Sequence, residues 1–375
     1  MFLRLGATAF GGPAAHVGMM EDEVVARRGW VTRPAFLDLV AATNLIPGPN
    51  STELAIHLGL QRAGWAGLVV AGTCFIVPAA VIVGVLAWAY VRFGTLPAVG
   101  AVMRGIAPVV IAIVAQALWR LGKTALTSPP RVALALACVV GAALGVHELA
   151  LLAAAGGLAA LVSRWGARVP PVVQLAPVIG VPGLGGAGGV LATGVGAAGA
   201  AGAVGLGSLF LVFLKIGSVL FGSGYVLIAF LRTDLVERLH WLTEGQLLDA
   251  VAIGQVTPGP LFTTATFIGY LLAGAPGAVV ATVGMFLPAF VFVAISGPLV
   301  PWMRRHPLAS AMLDGVVVGS LALMAVVSAT LARGVVTDPV AAGLVVVAGA
   351  GLYVRVPSAY VVLAGAAVGW LMGGW

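Results

Sequence analysis

The sequence predicts an all-α polytopic membrane protein of two homologous repeats in inverted topology, with broken or re-entrant helices. Three observations support this. The 375 residues are 61% hydrophobic and only 8% charged, whereas a water-soluble chain carries about a quarter charged residues. The stretch Asn44-Leu45-Ile46-Pro47-Gly48-Pro49-Asn50-Ser51-Thr52 lies between two apolar segments, and it recurs as Gln255-Val256-Thr257-Pro258-Gly259-Pro260-Leu261-Phe262-Thr263-Thr264. The rest of the two halves aligns about these stretches, with the basic residues moved to the opposite end of one repeated span.

A Pro-Gly-Pro cannot continue a helix. Each proline lacks an N–H and turns the preceding residue away from helix, and the glycine accepts almost any backbone angle. Apolar helical sequence nevertheless resumes at once. Pro47, Gly48 and Pro49, and likewise Pro258, Gly259 and Pro260, therefore read as helix breaks at one place in two halves. Such paired breaks are the best sequence pointer to a transporter's binding site.

Net charge is +7, from 19 Lys+Arg against 12 Asp+Glu. In so apolar a chain, basic residues between apolar runs set topology; no nucleic-acid partner is expected. The 53 glycines and 22 prolines fit close helix packing and broken helices. Cys74 and Cys138 lie in apolar runs without metal spacing, and no disulfide is implied. The first residues lack the basic start of a signal peptide, and Gly11-Gly12-Pro13 interrupts the apolar run.

Phe2 to Met20 is apolar but broken at those glycines, and Glu21 to Gly29 is a charged interfacial stretch. Thr32 is placed to cap a helix running to Ile46. Neither arm beside Pro47-Gly48-Pro49 reaches the roughly 20 apolar residues a span needs. The pair is thus one kinked span or a re-entrant hairpin. Trp65 to Tyr90, with Pro78 inside, and Ala98 to Trp119 are full spans, and Arg131 to Ser163 fits two short spans or a hairpin about His147-Glu148. The chain divides into a first repeat (1–163), a Gly/Ala/Pro-rich linker with room for one extra segment (164–205), and a second repeat (206–375). Length arithmetic gives roughly ten to thirteen membrane segments.

The repeat is legible residue by residue. Phe213-Leu214-Lys215-Ile216-Gly217 matches Phe2-Leu3-Arg4-Leu5-Gly6, and Trp241 and Asp249 match Trp30 and Asp38. After one deleted residue, Gly269, Gly274, Gly277 and Pro288 match Gly59, Gly64, Gly67 and Pro78. Arg120, Lys123 and Arg131 follow the first-half span, whereas its counterpart is followed by Arg333, offset by Asp338, and preceded by Arg304 and Arg305. By the positive-inside rule the halves lie in opposite orientations.

Phe10-Gly11-Gly12-Pro13 with His16, the run from Asn44 to Gly59, and Phe221-Gly222-Ser223-Gly224-Tyr225 followed by Thr257-Pro258-Gly259-Pro260 resemble the chromate ion transporter family in its two-domain form. Family members generally carry a short polar lead before the Phe-Leu-Arg-Leu-Gly segment, and here only Met1 precedes it. The resemblance implies a multi-pass protein of the bacterial cytoplasmic (inner) membrane that exports chromate, with sulfate as a structural mimic, and confers chromate resistance. The expected partners are the anion and the lipid bilayer. A homo-oligomer stays open, as does uptake or exchange of sulfate or another oxyanion.

Chromate is a tetrahedral dianion, so its site needs donors. The N-terminus of a half-helix supplies free N–H groups and a positive dipole end. Asn50, Ser51 and Thr52 open one such half-helix, Thr263 and Thr264 take the matching place in the second half, and Asn44 and Gln255 precede the two breaks. Gly11 and Gly12 mark a third break with His16 one turn in. The plainer reading is that these glycines and prolines only shape packing.

Lys215 and its mate Arg4 are cations in apolar runs, which suggests anion binding or snorkelling to an interface. Asp38 and Asp249 match across the repeat as carriers of a coupling proton, as partners of those cations, or as carboxylates favoured near a helix start. Glu53, just past the first break, would repel a dianion unless protonated or paired with Arg62. It suits proton coupling or an ordinary cap with Asn50 as N-cap. His57, His147 and His306 have no companions at metal spacing, and no Walker loop, Ser-His-Asp order or redox cofactor site is visible. The expectation is a transporter without metal or cofactor, not an enzyme, driven by an ion gradient or the membrane potential.

Overall fold

The computed structural model describes residues 1–9, 12–43, 46–93, 97–164, 204–220, 226–304, 307–354, 356 and 358–373. The described residues are helical, without strands. In the first half the helices are α1 (Phe2–Thr8), α2 (Gly12–Glu21), α3 (Arg33–Thr43), α4 (Asn50–Phe93), α5 (Pro97–Ala125), α6 (Pro129–Ala143) and α7 (Glu148–Arg164). In the second they are α8 (Leu206–Val219), α9 (Leu227–Leu231), α10 (Glu244–Val256), α11 (Thr264–Arg304), α12 (Pro307–Val335), α13 (Pro339–Tyr353) and α14 (Ser358–Leu371). Wide, π-type turns over Asp22–Arg27 and Arg232–Arg238 continue α2 and α9. Apart from its ends, the linker lies outside the described residues.

The sequence sets the boundaries locally. The Thr32 hydroxyl accepts from the Ala35 N–H at 3.4 Å at the start of α3. Thr243 and Gln246 form a reciprocal capping box on α10. Asp338 caps α13 through the Ala341 N–H at 2.8 Å. The Arg131–Ser163 stretch is a hairpin of α6 and α7.

α4 and α11 each double back. Ala63 (φ −146°, ψ 26°) and Gly64 (φ 59°, ψ −145°) interrupt α4, and Ala273 (φ −146°, ψ 24°) and Gly274 (φ 63°, ψ −154°) interrupt α11. Positive φ at the second residue of each pair favours glycine. The reversal shows in the packing. A Cβ added at Gly59 would lie 2.2 Å from the Gly67 carbonyl oxygen, and one at Gly269 would lie 2.3 Å from that of Gly277. In a straight helix residues so spaced would be about 12 Å apart. The Thr266 and Thr282 hydroxyls, flanking the second reversal, lie 2.7 Å apart.

The arm before each reversal pairs with the helix before the Pro-Gly-Pro. Phe36 and Leu39 of α3 share a buried cluster with Leu54, Ala55 and Leu58 of α4. Gly254 of α10 fits under the Thr264 hydroxyl, which a Cβ would meet at 2.3 Å. Of the two readings of the broken segment, the chain takes the hairpin. α3 and α10 have 11 and 13 residues, about 16–20 Å of helix against a hydrocarbon core of about 30 Å.

Among the described residues four helical stretches, Asn50–Phe93, Gly100–Lys123, Leu261–Ser296 and Ser310–Val335, are long and apolar enough to cross a bilayer. The second arms of α4 and α11 expose stripes at helical spacing: Val77, Val81, Val85 and Trp88 on one, Val279, Val283, Leu287, Val291 and Ile295 on the other. Such continuous apolar faces suit lipid.

The halves interlock. α4 packs on α11, α5 on α14, and α12 on α7. Gly105 of α5 lies against Gly365 and Gly369 of α14, and its repeat mate Gly315 of α12 lies against Ala155 and Ala159 of α7. Each contact recurs with the roles exchanged, as a two-fold relation requires.

Gly59→Leu should destabilise the protein by about 1–3 kcal/mol or more, because the side chain must displace backbone. Gly157→Leu, with no atom within 4 Å of its Cβ position, should be tolerated. Thermal unfolding of the two purified variants in detergent checks this; equal melting points would mean that close backbone approach does not hold the hairpin.

Candidate functional site

The hairpin tips are built by the two Pro-Gly-Pro breaks, and both tips are buried. Gly48 (φ 138°) and Gly259 (φ 92°) adopt backbone angles that an L side chain rarely takes. Each tip glycine donates its N–H across the molecule. Gly48 bonds the carbonyl of Leu220, where α8 ends, at 2.8 Å, and Gly259 bonds that of Ala9, where α1 ends, at 2.9 Å. Each tip also rests on the long helix of the other half, with Ala289 near Gly48 and Ala79 near Gly259. Two helix starts and two helix ends thus converge in the interior.

The candidate donors divide into occupied and unoccupied. His16 Nε2 lies 3.0 Å from the Ala9 carbonyl and Nδ1 lies 3.2 Å from the Ser51 hydroxyl. A carbonyl only accepts, so in the neutral ring Nε2 donates to Ala9 and Nδ1 accepts from Ser51. The Thr263 and Thr264 hydroxyls donate back to the carbonyls of Pro260 and Leu261, both at 2.8 Å. By contrast, the Thr52 hydroxyl and the Gln255 side-chain nitrogen are buried without a hydrogen-bond partner. Buried polar atoms are seldom left so, and these two flank the two tips. Asn50 is the first residue of α4 and is half-buried. Uncharged donors at helix starts can hold a tetrahedral anion without a cation.

Glu53 is fully buried and both its carboxyl oxygens lack a partner. A Cβ at Gly48 would meet its Oε1 at 2.4 Å, so only glycine leaves room for that carboxyl. Two expectations are corrected here. The Glu53 N–H bonds the Pro49 carbonyl at 3.0 Å, which makes Pro49 the N-cap, and the Glu53 carboxyl caps nothing. Nor does Arg62 pair with it: that guanidinium stacks on Trp30 at 5.3 Å, with Arg28 also over the ring at 5.4 Å.

The remaining candidates lie apart from the tips. Lys215 donates to both carboxyl oxygens of Asp234 at 2.8 Å and lies 3.8 Å from Glu148. Its mate Arg4 is exposed. Asp249 pairs with neither cation; it accepts from the Tyr90 hydroxyl at 2.6 Å. His57 lies 3.3 Å from the Ser296 hydroxyl. Gly11, Asn44, Phe221–Tyr225 (221–225) and His306 lie outside the described residues, as do the side chain of Asp38 and the surroundings of Gly12. No group of three metal-binding side chains occurs among the described residues. Tyr90, Asp234 and Ser296 were not singled out in sequence. Only for Asp234 was there a signal, since it is the repeat mate of Glu23, which itself bonds Arg28 at 2.9 Å.

The sequence compares with known proteins as follows. The family model described as chromate transporter matches residues 1–161 and 207–370. A chromate transport protein of Cupriavidus metallidurans is 33% identical over 378 residues, which cover 98% of this chain and 90% of that protein. A chromate transport protein of Pseudomonas aeruginosa is 34% identical, over 88% of this chain and 80% of its own length. A probable chromate transport protein of Synechococcus elongatus is 32% identical, over 88% of this chain and 83% of its own length. No solved structure matches. With the model matched in both halves, and with relatives of this identity along most of its length, the chain belongs to the chromate transporter family.

Proposed function

We propose that this membrane protein is a secondary transporter that exports chromate across the bacterial cytoplasmic membrane and so confers chromate resistance. The observation that carries the reading is that two buried hairpin tips, one from each half, are each bonded through Gly48 or Gly259 to a helix end of the other half, with unoccupied donors at Thr52 and Gln255. The dianion sits between the tips, held by the starts of α4 and of the turn that opens α11. Asn50, Ser51, Thr52, Thr263 and Thr264 line it, with His16 fixing Ser51. Sulfate, of the same shape and charge, competes. No ATP is used: a negative-inside potential drives an anion outward by about 2.3 kcal/mol per charge per 100 mV.

Expression in a chromate-sensitive bacterium should lower chromate accumulation, and excess sulfate should reduce the effect. A rise in accumulation would instead make the protein an uptake system for chromate or a related oxyanion.

Within this reading a new carboxylate at the tip is the most damaging small change. Asn50→Asp should cut transport severely and Asn50→Ser should leave much of it. Like charges near 4 Å repel by about 4 kcal/mol at an effective dielectric of 20, which is several hundredfold or more in affinity. Transport at wild-type affinity by a normally inserted Asn50→Asp protein would move the site elsewhere, with the Lys215 group next in line.

The two-fold relation between halves is placed in the membrane plane, which inverts one repeat relative to the other. What supports this is the exchange of basic residues between the ends of α5 and α12: Lys123 in the last turn of α5 and Arg131 beyond it, against Arg304 and Arg305 before α12. Reporters fused after Lys123 and after Arg333 should report opposite sides of the membrane; finding both on the cytoplasmic side would leave a parallel duplication.

A further inference from the structure

Glu53 is the one feature of the tips that a passive anion site does not account for. It lies beside the proposed anion position, fully buried, with neither oxygen bonded. No described charged side chain reaches it. On the helices packed against its arm, Arg4 is exposed, Glu21 pairs with Arg33, Glu244 pairs with Arg232, and Asp249 accepts from Tyr90. His16 bonds Ser51 and Ala9. On the arm itself His57 bonds Ser296 and Arg62 stacks on Trp30. Asp38, Tyr270 and Arg304 sit well along α3 and α11 from the tips.

The two tips differ at this point. The position equivalent to Glu53 is Thr264, whose hydroxyl is bonded to Leu261, and the space beside Gly259 is filled by Ala79 and the Gly6 carbonyl. One tip holds a carboxyl and the other does not. An ionised carboxylate there would repel a dianion, whereas a protonated one would not and could donate to it. Anion and proton therefore favour each other's binding, and that linkage is reciprocal.

We propose that Glu53 carries one proton together with each anion, so that the cycle is a one-proton symport moving a single net negative charge. The Glu53 O–H passes its proton to water on the side where the anion leaves, and the carboxylate takes another from water on the loading side. A symporter of this stoichiometry still exports under a negative-inside potential, but with half the electrical drive of a bare dianion, and a pH gradient opposes or assists it. The inference rests on the chromate-transport reading.

The test uses the purified full-length protein in proteoliposomes, with equal chromate on both sides at alkaline pH, where chromate is the dianion. The potential is clamped with potassium and valinomycin, and the reversal potential of chromate flux is measured with and without a tenfold proton gradient. Wild type should show a shift corresponding to one proton per net charge, and Glu53→Gln should show none. Glu53→Asp, which keeps a carboxyl, should keep the shift. Wild-type chromate flux whose reversal ignores the proton gradient would overturn the proposal while leaving the transport reading intact. So would a Glu53→Gln protein that shifts like wild type, or a Glu53→Asp protein that transports without the shift. Wild type that moves no chromate at any potential would instead overturn the transport reading itself. Should Glu53→Gln fail to insert, the wild-type and Glu53→Asp arms still decide.

Discussion

A polypeptide in hydrocarbon has to satisfy its backbone polar groups from within. Every break in a membrane helix releases N–H and C=O groups that need partners, and each unbonded one costs several kcal/mol in that medium. Here the broken ends satisfy one another across the repeat. The N–H of Gly48 bonds the end of α8 and the N–H of Gly259 bonds the end of α1. Neither half can complete this alone, so the two breaks are tolerable only in a molecule that contains both. The same geometry brings helix starts to the interior, which makes a structural requirement and the proposed binding arrangement coincide.

Small residues make the exchange sterically feasible. Gly6 lies under the Phe75 carbonyl and its mate Gly217 under that of Met285, each with a Cβ position 2.3 Å from the oxygen. The same device joins α5 to α14 and α12 to α7. Close approach of small residues is how helices associate where lipid removes the ordinary hydrophobic drive. Charges cross the boundary too. Arg131 of α6 is ion-paired with Asp314 of α12, and Glu148 of α7 lies near Lys215 of α8. Removing one member of such a buried pair would leave an uncompensated charge.

How much of this was legible in the sequence differs by feature. The breaks, the capped start of α3 and the repeat could be read, because proline, glycine and cap residues act through local backbone chemistry, while the hairpin of α6 and α7 was one of two readings. The reversals at Gly64 and Gly274 were visible only as matched glycines; that they turn the chain follows from the tertiary approach of Gly59 to Gly67 and of Gly269 to Gly277. At the site, residue types were readable but bonding was not. Ser51 and Thr52 look alike in sequence, yet one hydroxyl is bonded to His16 and the other to nothing. Tyr90 and Asp249 are 159 residues apart in the chain and meet only after the halves interlock. Lys215 invited an anion in sequence and finds Asp234 in the structure, since apolar context alone does not reveal which charge folds back beside which.

The interleaving also bears on how such a molecule is made. Synthesis completes α6 and α7 long before α12 exists, and α14, the partner of α5, comes later still. During that interval the glycine and alanine faces meant for another helix are covered only by lipid, and until Leu220 is made the first tip has no carbonyl to accept the Gly48 N–H. The early half must therefore wait in the bilayer in a loosened form. Its two short hairpins, not long enough to anchor firmly, are the natural places for that looseness. Assembly is then a late, concerted event triggered by the final helices, and truncation near the carboxyl end would strand the whole molecule in the waiting state instead of trimming its edge.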